Sequence, residues 1–167
     1  MTTPDLSPED VARRLTLAFE RIHRERMAGL PILHPSLSVE VVGGRIFDGD
    51  WVGALVTPWT MNLVLVPGPG SAHRPGGVGI KQTLTLPGAE VETIGSEEAD
   101  VGAFLACSLY SPMGAFADQA TAVATAAKIL EGLLPSESPR PKPLAPQPDA
   151  SPAISRRDLL RGRLRRT

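Results

Sequence analysis

A chain of 167 residues with 42% hydrophobic content has the length for one body with its own core and too little for two. Its formal net charge of −1 hides a division: residues 1–134 carry 9 Lys and Arg against 15 Asp and Glu, and residues 135–167 carry 8 against 3. The single cysteine, Cys107, excludes an intramolecular disulfide or thiolate cluster, and no run reaches the ~18 apolar residues of a membrane helix.

The opening stretch MTTPDLSPEDVARR has no apolar signal core, so a soluble, cytoplasmic chain is expected. Ser7-Pro8-Glu9-Asp10 is a helix start: a hydroxyl cap, proline at the first helical position, and acids at the positive end of the dipole. Val11, Leu15, Ala18, Phe19 and Ile22 form one apolar stripe, the charged residues opposite are read as solvated, and Gly29 and Pro31 stop the helix near Met27. The connector LPILHP is extended by its prolines; His34 within it has no second ligand or base nearby in sequence.

Leu37–Val42 reads as a strand, Gly43-Gly44 as a bend, and Asp48-Gly49-Asp50 as a turn that lacks the further oxygens of a calcium loop. In LVTPWTMNLVLVPG, one strand runs into Thr57-Pro58 and a second leaves from Thr60, its period of two placing one face on a core. Two readings of this stretch compete: a sheet core with one satisfied polar residue, Asn62, or a platform of Trp59, Met61 and Asn62 facing a bound chain. Pro67–Gly79 is a Gly- and Pro-rich surface loop without the Gly-Lys-Ser/Thr of a phosphate loop.

Ile80–Leu86 and Ala89–Ile94 form a hairpin about Pro87-Gly88, and Glu97, Glu98 and Asp100 follow as a solvated acidic patch. Gly102–Tyr110 is a short apolar run that reads as a buried strand with Cys107 at its middle, and Ser111-Pro112-Met113-Gly114 ends it. A second helix is predicted over Phe116–Leu134, with Phe116, Ala120, Val123, Ala127 and Leu130 on its inner side. The Pro-rich segment from Pro135 cannot pack a core, and ISRRDLLRGRLRRT follows with six arginines around Leu159, Leu160 and Leu164.

Three stretches, RIHRERMAGLPILHPSL, LVTPWTMNLVLVPG and CSLYSPMGAFADQATA, in this order and spacing resemble the HybE-type assembly chaperones of nickel-iron uptake hydrogenases, a group that includes HupJ and HoxT. The resemblance covers about residues 10–134. It implies a non-catalytic cytoplasmic protein, without a cofactor, that holds a hydrogenase precursor until export. The expected client is the small subunit bearing a twin-arginine signal, with the large subunit and other maturation proteins as further candidates. It makes Trp59, Met61, Asn62, Cys107, Ser111, Pro112 and Met113 the positions to watch, as partner contacts or as supports of the sheet. The tail motif SRRDLLRG looks like a twin-arginine motif at the wrong end of a chain. Arg156, Arg157, Leu159 and Leu160 are therefore expected to imitate a client's signal, shielding a groove or engaging a second maturation protein; a basic solubility tail is the plain alternative.

The expected architecture is α+β: a mostly antiparallel sheet of about six strands, flanked by an N-terminal and a C-terminal helix, with a disordered Pro-rich basic tail. The expected division is a chaperone domain at 1–134, a linker at 135–153 and a basic tail at 154–167. Two other functions stay open: a small enzyme or redox protein using Cys107 with His34, and an anionic-surface binder acting through the tail. No nucleic-acid partner and no stable membrane insertion are expected.

Overall fold

The computed structural model describes residues 7–135, so the linker beyond Pro135 and the tail with Arg156, Arg157, Leu159 and Leu160 lie outside the described residues. Helix α1 spans Pro8–Glu25 and begins as its sequence dictates, with the Ser7 hydroxyl accepting the Asp10 N–H at 3.3 Å. Val11, Leu15, Ala18 and Phe19 are its buried face. Strands β1 (Glu40–Phe47), β2 (Asp50–Val56), β3 (Met61–Val66), β4 (Lys81–Thr85), β5 (Glu90–Glu98) and β6 (Gly102–Tyr110) follow, then helix α2 (Gln119–Leu133). All neighbouring strands are antiparallel in the order β1-β2-β3-β6-β5-β4, so two three-stranded meanders join along β3 and β6. Among the described residues, no helix is long and apolar enough to cross a membrane.

The two helices lie on opposite faces of this sheet. Trp51, Leu55, Val64, Val66 and Phe104 pack against α1, while Val52, Ala54, Val56, Leu63, Leu65 and Leu105 join the cluster of α2. Successive strand residues point to opposite faces. Strands β2 and β3 are therefore buried on both, where the period of two had suggested one core face for the second strand.

Three other expectations change. Gly43-Gly44 is not a bend between elements but lies inside β1, at a shift of register between Val42 and Arg45. Its reason is Trp51: a Cβ on Gly44 would stand 2.3 Å from Cζ2 of the indole, and one on Gly53 would stand 2.6 Å from Cη2. The fully buried Trp51 thus lies against two bare backbone positions, and its Nε1 donates to the Pro8 carbonyl at 3.2 Å, which ties the sheet to the start of α1. Helix α2 begins three residues later than predicted, capped by Asp118, whose carboxylate accepts the Thr121 N–H at 2.8 Å. Its buried face is Ala122, Ala126, Leu130 and Leu133, and Ala120 and Ala127 are exposed. Finally, two of the three acids of the patch are partnered: Arg26 meets Glu98 at 3.1 Å and Arg21 meets Asp100 at 2.6 Å, so charges read as solvated tie α1 and its C-terminal cap to the β5–β6 hairpin.

Candidate client-binding face

The bend carrying Trp59 lies beside the Ser111–Gly114 corner. His34 joins them: its N–H donates to the Pro58 carbonyl at 2.8 Å and its Nε2 lies 2.7 Å from the Phe116 carbonyl. Its Nδ1 accepts the Ser36 N–H at 3.1 Å, so a neutral ring protonated on Nε2 satisfies all of these contacts. A second tie runs from the Thr60 hydroxyl to the Tyr110 carbonyl at 3.0 Å. With both ring nitrogens engaged, His34 staples the two segments together.

The candidate residues divide between the two faces. Trp59 and Asn62 belong to the α1 side: the Trp59 ring stacks on Phe19 at 6.4 Å and lies 5.8 Å from His23. Met61 and Met113 are fully enclosed in the α2-side cluster and cannot touch a client in this conformation. Met61 and Asn62 are consecutive on a strand, so strand alternation alone forbids a shared platform. Cys107 is half-buried rather than sealed, and its side chain packs against the α2-side cluster. Burial, and then the Glu92 carboxylate, push its thiol pKa up, away from a reactive thiolate. Ser111 and Pro112 are exposed. Among the described residues no group of His, Cys, Asp and Glu is placed to hold a metal.

What the geometry adds is a half-face left uncovered. On the α1 side the helix closes over β1, β2 and β3 and touches β6 at Phe104. Ile94 pairs with Ala106, which borders that cluster, so Glu90, Glu92, Ile94 and Ser96 of β5 point to the α1 side. Their partners on β4, Thr85, Thr83 and Lys81, share it. The result is an open trough of about 650 Å³ whose lining includes Asn62, Ile94, Glu92, Lys81, Ala106 and Ser108. Beyond Trp59, a second hollow of about 390 Å³ is lined by His23, Arg24, Ala28, Gly29 and Leu33, and Leu30 and Ile32 are exposed on the same connector. Trp59 links the two: its ring meets His23 of one, and the hydroxyl of its neighbour Thr60 lies 3.2 Å from the Asn62 side-chain amide of the other. The strip runs from an acidic, small-residue floor to an apolar rim.

Sequence reasoning did not single out Glu90 and Glu92, although the alternation EVETI carries the signal of one acidic and one core face. It reads Asp50 only as a residue of the turn. This carboxylate is buried and accepts the Gly68 N–H at 2.8 Å and His73 Nδ1 at 2.8 Å, fastening the Gly-rich loop to the start of β2. A histidine 23 residues away has no local signature.

Comparison with known proteins agrees with this fold. A family model described as NiFe-hydrogenase assembly chaperone HybE matches residues 10–162. That match runs past residue 134, to which the resemblance read from the sequence extends, and takes in the SRRDLLRG stretch. The chain is similar to the hydrogenase expression/formation protein HupJ of Bradyrhizobium diazoefficiens, at 39% identity over 88% of this chain and 85% of that protein. It is likewise similar to the hydrogenase expression/formation protein HoxT of Azotobacter vinelandii, at 38% identity over 86% and 90%. The solution structure of HybE from Escherichia coli superposes with a TM-score of 0.60 at 31% identity, covering 74% of this chain and 76% of that one.

Proposed function

The chain belongs to the HybE family of nickel-iron hydrogenase assembly chaperones, and we propose that it works in the cytoplasm by holding the immature, signal-bearing small subunit of the hydrogenase until export. The observation that carries this reading is the open half-face on the α1 side. Glu90 and Glu92 offer carboxylates to the arginines of a twin-arginine signal, while Ile94, Trp59 and the exposed Leu30 and Ile32 offer apolar surface to the segment that follows them. A peptide basic at one end and apolar at the other matches a strip acidic at one end and apolar at the other. The reading needs no chemistry from the chain: burial and the Glu92 carboxylate hold the Cys107 thiol toward its protonated form, and both ring nitrogens of His34 are engaged. The division into a body at 1–134, a linker at 135–153 and a basic tail at 154–167 is part of the proposal, with Arg156, Arg157, Leu159 and Leu160 reserved for a second maturation protein.

Tagged protein isolated from hydrogen-grown cells should bring down the unprocessed small subunit. Ile94→Lys, at an exposed position, should lose it without loss of folding. Recovery of the large subunit alone, or equal recovery with the variant, would overturn the proposal.

A further inference from the structure

A sheet that ends in open water presents unpaired backbone groups, and proteins blunt such edges. Among the described residues, the two edges of this sheet differ in that respect. The β1 edge carries the register shift at Gly43-Gly44. At its start, Gln119 of α2 accepts the Ser38 N–H at 2.9 Å and donates to the Ser38 carbonyl at 3.3 Å, and along it Arg45 donates to the Leu134 carbonyl. Along β4, among the described residues, the side-chain ties run through Gln82, which accepts the Gly76 N–H at 3.2 Å and donates to the Arg74 carbonyl at 3.4 Å, and not through the outward backbone groups. Gly95 donates to the Ile80 carbonyl at 2.9 Å and Leu86 to the Ala89 carbonyl at 3.0 Å, which fixes the alternation along the strand. Gln82 and Leu84 turn their backbone groups to β5, and Lys81, Thr83 and Thr85 turn theirs outward. None of these three has a backbone partner on that side among the described residues. Their side chains are exposed on the open half-face, directly beside Glu92 and Glu90.

We propose that β4 is a docking edge, and that an extended, arginine-bearing segment of the client adds to it as a seventh strand. The proposal rests on the chaperone reading of the same face and says how the client is held there. Backbone pairing with Lys81, Thr83 and Thr85 supplies affinity that does not depend on sequence. Specificity comes from charge: β5 lies two strand spacings from the added chain, about 10 Å, a gap that arginine and glutamate side chains bridge over Lys81, Thr83 and Thr85. A chaperone that must accept a polypeptide before it folds gains from reading an extended backbone.

The test uses the full chain and a synthetic peptide with the twin-arginine signal sequence of the hydrogenase small subunit from the same cells. Amide hydrogen exchange should slow at Lys81, Thr83 and Thr85 when the peptide binds, and Thr83→Pro, which removes one outward N–H and leaves the β5 ladder intact, should weaken binding about tenfold. Thr83→Val keeps the backbone group and should bind as the wild type does. Exchange on the unaltered protein decides the matter if the proline variant does not fold. Peptide binding without slowed exchange at these amides overturns the docking edge and leaves the chaperone reading in place. No binding of the peptide to the unaltered protein overturns both. Slow exchange at the same amides without peptide, growing with protein concentration, would give the edge to a second copy of the chain and overturn the proposal.

Discussion

Asp50 illustrates how one buried charge can organise a loop. Burial acts to raise its pKa, but the Gly68 N–H, His73 and Ser71 outweigh burial and hold the carboxyl below its ordinary range. A depressed carboxylate contributes stability that is present above its unfolded pKa and is lost as pH falls through the folded one. Asp50→Ala should therefore unfold in urea with about 1–3 kcal/mol less stability near neutrality, because the Gly68 N–H is left buried without its acceptor. The deficit should narrow as the pH is lowered through the carboxylate range; a gap that is constant with pH would assign the loss to packing alone. At this scale the sequence is legible where the cause is local. The Ser7 cap and the Asp48–Gly49 turn follow from neighbouring residues, and Met61 on the face opposite Asn62 follows from alternation. Asp50 with His73, and His34 with Phe116, join residues far apart in the chain, and nothing in either residue's neighbours announces its partner.

Helix α2 shows what a periodic pattern leaves open. Alanine is abundant all round it, so several stripes fit the same sequence, and Phe116 drew the predicted stripe toward Ala120 and Ala127. In the fold Phe116 precedes the helix in a turn, Asp118 sets the start, and Ala122 and Ala126 are fully buried against the sheet. A buried alanine at a helix–sheet contact has no room for three more carbons. Ala126→Leu should cost about 1–3 kcal/mol in denaturant unfolding, whereas Ala127→Leu should stay within about 0.5 kcal/mol of the unaltered protein. The reverse result would restore the predicted face. The β1–β2 hairpin gives a second check on a close approach. Gly53→Ala places its Cβ inside contact distance of the Trp51 indole, so the ring or strand must shift. We expect a loss of about 1–3 kcal/mol with a changed Trp51 near-ultraviolet signal. An unchanged signal would mean that the indole is not packed on that glycine.

Over the whole chain the decisive asymmetry is electrostatic. The excess of acid over base in residues 1–134 gives an incoming arginine-bearing peptide a long-range attraction that salt screens over about 10 Å. Within the open half-face the attraction is tempered by Lys81, which stands 3.4 Å from Glu92 with both side chains largely exposed. An exposed pair of this kind holds the fold by little, so either partner can be removed without unfolding the sheet. The two removals should then act in opposite directions on the client. Glu92→Ala should weaken binding of the signal peptide about two- to fivefold, and Lys81→Ala, which frees the carboxylate, should tighten it by a similar factor. Calorimetric titration at low salt should show both effects, and raising the salt should shrink them together. Because a general loss of folding weakens binding in every variant, opposite signs at neighbouring positions on one face discriminate charge recognition from damage. Equal weakening by both substitutions would remove Glu92 from the site and leave the client to be held by the β4 edge and the apolar rim around Trp59.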